Sequence, residues 1–165
     1  MAERAADGYS LAPLTAVLQG QLVERLNDPE TWKPYNWFGY EYGGTPGGSL
    51  QGIPFGEGGM LAVLDERSNF VGQVQWMPGF WYGGANRNRA WNFGLIIFPE
   101  YQRTRATRAA MLLLFDYLFT HTTAHRIEAT TPAAAVKHPQ GIESTGLRQE
   151  GVMDRRSGAR AGGMM

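Results

Sequence analysis

Residues 102–108 read "QRTRATR", which sets Arg103, Arg105 and Arg108 among two threonines and a glutamine. Guanidinium groups bind phosphate and carboxylate oxygens through paired hydrogen bonds. The arginines follow an apolar run, "WNFGLIIF", and lead into a segment with helical spacing, "RATRAAMLLLFDYLFT". The amino end of a helix attracts anions through its dipole and its unpaired N–H groups. A connection of this kind often holds a ligand phosphate, and glycine is expected wherever the backbone must approach the anion closely. No glycine is present here. Two readings are open: a phosphate cradle rebuilt with arginine, or a solvated, mildly strained loop. Each cation at a helix amino end costs ~0.3–1 kcal/mol, which a phosphate partner would relieve.

Other reactive side chains are sparse. There is no cysteine, so disulfides, thiolate nucleophiles and zinc–cysteine sites are excluded. Three histidines, His121, His125 and His138, argue against a dedicated metal site. Aromatic and glycine residues crowd the stretch 31–59, with Trp37, Tyr40 and Glu41 at its centre. A long irregular stretch so rich in rings reads either as a loop pinned to a core or as the aromatic wall of a pocket. The stretch around Tyr82 repeats that character.

The elements that must position these groups follow from local patterning. "YSLAPL" is a short strand ending at Pro13. Residues 15–26 have a helical spacing, with Thr15 as N-cap. "MLAVLD" (60–65) and "NFVGQVQWMP" (69–78) form two strands across a turn. In the second, Phe70, Gly72, Val74 and Trp76 alternate onto one face. "AWNFGLIIF" (90–98) is apolar on both faces and therefore central. A helix over 105–120 follows, with apolar residues at 111, 112, 115, 118 and 119. Then come a strand over 125–131, a short helix opening at Pro132, and a strand in "LRQEGVMDRR". This order predicts one α+β domain over 1–165, with a mixed, mostly antiparallel central sheet flanked by helices.

Bulk properties narrow the function. Net charge is zero, which gives no support to a sequence-independent nucleic-acid binder. The amino-terminal residues lack an apolar signal region, and no run approaches the ~20 apolar residues of a membrane span. The sequence reads as a soluble cytoplasmic protein that binds no membrane.

The element order, with the words "LNDPE", "WFGY", "VGQVQW", "RAWNFGLIIFPEYQR", "AHRIEATT" and "GLRQEGVM", resembles the GNAT family of N-acetyltransferases. The resemblance is to the ribosomal-protein-alanine acetyltransferase type, and it runs from about residue 11 to 158. It implies the GNAT fold with a truncated last strand, since only "ARAGGMM" remains for it. It implies acetyl-CoA or another acyl-CoA as co-substrate, with no metal. The acyl group would pass to an amine of a small molecule or peptide by direct attack. Phe93, Gly94, Leu95, Ile96 and Ile97 would line the pantetheine arm. Gln102, Arg103, Thr104, Arg105, Ala106, Thr107 and Arg108 would meet the pyrophosphate. Trp37, Tyr40, Trp76 and Tyr82 would line the acceptor site.

The sequence also departs from the family. Arg105 and Thr107 stand where the family's loop glycines fall. Ala135 replaces an asparagine that contacts the CoA arm, and Ile142 replaces a tyrosine that protonates the leaving thiolate. Glu41 and His138 are the candidates for proton transfer. Glu128, in "HRIEA", matches a position that is structural as often as catalytic. Three functions remain open. The first is an acyl-CoA-dependent N-acyltransferase. The second is a transferase that takes its donor from an acyl carrier protein or a charged tRNA, in specialised metabolism such as antibiotic biosynthesis or resistance. The third is a non-catalytic binding protein. A homodimer could complete the short last strand.

Overall fold

The computed structural model describes residues 7–32, 58–81, 89–102, 104–131 and 142–151. Its centre is a five-stranded sheet in the order β1-β2-β3-β4-β5. The strands are β1 (Ser10–Pro13), β2 (Gly59–Leu64), β3 (Phe70–Trp81), β4 (Arg89–Ile97) and β5 (Arg126–Glu128). The first four pair antiparallel, and β5 joins β4 in parallel. The parallel step needs a crossover, which helix α3 (Ala106–His121) supplies. Among the described residues, helices α1 (Ala16–Leu26) and α2 (Pro29–Trp32) precede β2.

Each sheet face has its own cluster. Val74, Trp76, Trp91, Phe93 and Ile97 pack with Ala106, Ala110, Leu114 and Leu118 of α3. Alanines at 106, 109 and 110, all fully buried, let the helix backbone come close to the sheet. The other face carries Met60, Phe70 and Ile96, packed with Phe98 beneath Leu22 and Leu26 of α1. Thr15 caps α1 as expected, its hydroxyl accepting from the Leu18 N–H at 3.3 Å.

Three sequence expectations change. Phe70 leaves the alternation of Gly72, Val74 and Trp76. A register shift at Val63/Leu64 adds a residue to β3 and turns Phe70 to the α1 face, where it meets Phe98 edge-on with ring centroids 5.1 Å apart. The apolar stripe of α3 is rotated: Leu112 and Phe115 are half-buried and Phe119 is 54% exposed, while Leu113 and Leu114 face the sheet. Finally, residues 147–151 form no strand, and β5 is three residues long. Glu150 instead ties this segment to β5 through both oxygens, each accepting from the Arg126 guanidinium. That bond lowers the Glu150 pKa. The turn at 65–69 is a compact acid-centred loop. Asp65 accepts from the Asn69 side chain at 2.9 Å and from the Arg67 and Asn69 backbone at 2.9 and 2.8 Å. These bonds, the Asn69 side chain first, also pull its pKa down.

Candidate active site

The central feature is a fork in the sheet. β4 pairs with β5 only over Ala90–Asn92, the last partners being Asn92 and Glu128. β4 continues for five more residues, still paired to β3 through Ile97. Phe93, Gly94, Leu95, Ile96 and Ile97 therefore lie along an edge that β5 does not cover. A strand edge carries backbone donors and acceptors that an extended ligand can use. These are the five residues expected to meet a pantetheine arm.

The fork leads to the amino end of α3. Gln102 turns inward, its Nε2 donating to the Ile97 carbonyl at 3.1 Å and closing the end of β4. Thr104 organises the helix start. Its hydroxyl donates to the Tyr101 carbonyl at 2.6 Å and accepts from the Ala106 N–H at 3.1 Å. Tyr9 donates to the same hydroxyl at 3.2 Å, which pins the β1 end of the chain to this turn. Ala106 is fully buried. Its N–H is thus already engaged, and its side chain belongs to the core. Thr107 is half-buried.

Arg105 and Arg108 both point to one carboxylate, that of Asp7, at 3.9 and 3.6 Å. Arg108 also donates from Nε to the Ser144 hydroxyl at 3.3 Å. The sequence reading found the arginines and missed Asp7 and Tyr9, which lie about 95 residues upstream. The local hint was the Asp-Gly pair. Asp7 and Gly8 both take positive φ, 53° and 82°, forming a turn that brings Asp7 back over the helix. Asparagine, aspartate and glycine are the residues that adopt this backbone readily.

At the fork apex the two faces differ. On the α3 side, Trp91 and Phe93 are buried, and Phe93 meets Phe115 edge-on at 5.1 Å. Trp76, expected in the acceptor site, is 7% exposed on this same side, its ring 5.3 Å from that of Tyr117. It covers Gly59, where no Cβ would fit. A cavity of about 300 Å³ lies further along this side, between Phe115, Phe119, Ile127 and Leu147.

The opposite face is polar. Alternation puts Gln75, Asn92 and Glu128 there. Glu128 reaches across β4, and its Oε1 lies in the side-chain space of Gly79. Arg126 Nε stands 3.5 Å from its other oxygen.

Glu41, Trp37, Tyr40, Tyr82, Arg103 and His138 lie outside the described residues. Among those described, no group of three or more His, Asp or Glu could hold a metal ion. No helix among the described residues is long and apolar enough to cross a membrane.

No protein-family model matches the sequence, and no curated protein matches it. Solved structures do match. A spermidine N-acetyltransferase from Vibrio cholerae, in complex with CoA and spermine, aligns with a TM-score of 0.71 at 22% identity, over 88% of this chain and 84% of that one. An acetyltransferase of the GNAT family from Bacillus anthracis aligns with a TM-score of 0.66 at 18% identity, over 92% and 86%. Such low identities speak to the backbone alone: this chain is built on the fold of the GNAT-family acetyltransferases.

Proposed function

We propose that the protein is an N-acyltransferase that moves an acetyl or other acyl group from acyl-CoA to a primary amine. The observation that carries this reading is the fork. A five-residue edge of β4, with no strand paired to it among the described residues, runs from a carboxylate at its apex, Glu128, to a helix amino end that bears Arg105 and Arg108. An extended donor with an anionic end fits that path. Its phosphates would lie at α3, its amide-rich arm along residues 93–97, and its thioester near Asn92. The likeness to a fold seen with CoA supports the same placement.

In this reading the chain binds and orients. The α3 face at the apex is filled by Trp91, Phe93 and Phe115, so the amine approaches the carbonyl from the polar face. Holding both reactants converts a bimolecular attack into an effectively unimolecular one. The amine nitrogen bonds to the carbonyl carbon, and the C–S bond breaks as the tetrahedral centre collapses. Glu128 accepts the proton that the nitrogen loses, directly or through one water. The CoA thiolate leaves and takes up a proton. His138 and Glu41 are candidates for proton transfers that the described residues do not supply. Trp37, Tyr40 and Tyr82 are candidates for the acceptor wall, and an α-amine of a peptide or a small-molecule amine is the acceptor class.

Calorimetry with CoA, followed by thiol release from acetyl-CoA in the presence of amines, tests the reading. Binding of CoA together with amine-dependent thiol release is expected. Binding of phosphopantetheine but not of CoA would redirect the donor to a carrier protein. Binding of neither would sink the transferase reading.

A further inference from the structure

Gly94 is the second of the five β4 residues beyond the fork, directly opposite Gln75 of β3. The Gln75 side chain borders the space that a side chain at 94 would enter. From an ideal Cβ on Gly94, Gln75 Nε2 is 3.2 Å away, Cγ 3.5 Å and Cδ 3.8 Å. Gln75 is half-buried, and its carboxamide makes no hydrogen bond among the described residues. Two positions earlier on the same face, Gln73 is 1% exposed, and its Oε1 is also without a partner among the described residues. Polar groups at such depth are normally satisfied, so this face retains hydrogen-bonding capacity that the described residues do not use. Asn92 and Glu128 lie on the same face, with the Asn92 Cα about 7 Å along β4 from that of Gly94 and β5 about 5 Å to its side.

We infer that Gln75 is a specificity-determining residue for the acceptor, seated over the transfer point by the absence of a side chain at Gly94. The inference rests on the reading of the fork as the site of acyl transfer. It adds a residue and a chemistry to that reading. The carboxamide oxygen of Gln75 accepts a hydrogen bond from the incoming primary amine, while Glu128 takes the proton from its other side. Gly94 leaves room for this placement: a methyl group there would crowd the amide nitrogen of Gln75 at 3.2 Å and make it give way by a few tenths of an ångström.

Steady-state acetyl transfer tests this, with acetyl-CoA as donor and two probe amines, alanyl-alanine amide and spermidine. With the amine that turns over faster, Gln75→Ala should raise the acceptor KM about three- to tenfold, the range for loss of one neutral hydrogen bond. The KM for acetyl-CoA should stay within twofold. Gln75→Glu, which keeps an oxygen in place, should hold the acceptor KM near that of the parent. Gly94→Ala, which makes the Gln75 carboxamide give way by only a few tenths of an ångström, should raise the acceptor KM less than Gln75→Ala does, and the double variant should have the acceptor KM of Gln75→Ala. An unchanged acceptor KM in Gln75→Ala, a shift in the acetyl-CoA KM instead, or additive effects in the double variant would overturn the inference and leave the transferase reading intact. CoA binding without transfer to either amine would also overturn it and spare the donor assignment. Failure to bind CoA would remove both.

Discussion

Asp7→Asn should strengthen CoA binding. In the protein as folded, the Asp7 carboxylate lies 3.9 Å from Arg105 and 3.6 Å from Arg108, where a ligand phosphate would also have to sit. A phosphate must therefore displace this carboxylate or bear its repulsion. Coulomb's law in a water-like dielectric gives about 1 kcal/mol for each pair. The side chains are open to solvent, with 79% exposure for Arg105, 48% for Arg108 and 36% for Asp7. Exposed pairs yield about 0.2–1 kcal/mol each, and both distances sit near the outer limit for an ion pair. Taking the lower half of that range, the two contacts together hold about 0.4–1.2 kcal/mol. Their release corresponds to about two- to eightfold tighter binding. Asparagine suits the test because it tolerates the positive φ of 53° at this position, so the turn is retained. Isothermal titration at low salt should show the gain with CoA and none with pantetheine, which lacks phosphate. At about 0.5 M salt, where screening acts within roughly 5 Å, the gain should shrink. Equal or weaker CoA binding by Asp7→Asn at low salt would refute the competition and mark Asp7 as a group that prepares the arginines for the ligand.

Other consequences are open to direct measurement. Glu128→Gln should lower kcat for acetyl transfer by about 10²–10⁴, the usual worth of a positioned base; a pH–rate profile that keeps its acidic limb in the variant would exclude Glu128 from that role. Phe98→Ala should cost about 3–5 kcal/mol in urea denaturation, because the ring is 1% exposed between Phe70, Leu22 and Leu26. A loss below ~1 kcal/mol, well under that range, would mean that α1 is not docked there. Asp65 and Glu150 both have folded pKa values below their ordinary ones, 3.8 and 4.5. Their stabilisation is present above those ordinary values and fades as pH falls through the lowered ones. The double variant Asp65→Asn with Glu150→Gln should therefore lose less Tm between pH 6 and pH 2.5 than the parent, and an equal loss would contradict the assignment.

Much of the frame was legible in local pattern. The run at 90–98 is apolar at both alternating sets of positions, so it had to be covered on both faces and flanked by other strands. It became β4, with β3 on one side and β5 on the other. The helical spacing after "QRTR" became α3, within one residue of the expected bounds at each end. The arginines stood where a strand meets a helix, and that is where the structure holds Arg105 and Arg108. Period-2 and period-3.6 patterns report which face of an element is apolar, and this information is carried by neighbours in sequence.

What the patterns did not carry are relations between distant segments. The length over which β5 accompanies β4 decides whether a fork exists. It depends on where two strands 36 residues apart in register part company, Asn92 from Glu128. The β3 bulge that reverses Phe70 is a property of its pairing with β2. Asp7 meets Arg105 only because β1 begins beside the amino end of α3. Gln75 and Gly94 are an ordinary strand glutamine and an ordinary strand glycine until antiparallel register sets them opposite each other. The sequence by itself determined strands β1 to β4, helix α3 and the place of the cationic turn, because backbone propensity and hydrophobic period are local. Tertiary structure alone decided which carboxylate answers the arginines, which face of the fork is polar and which side chain overlies the uncovered edge. Those outcomes arise from register and packing between segments that no local period links.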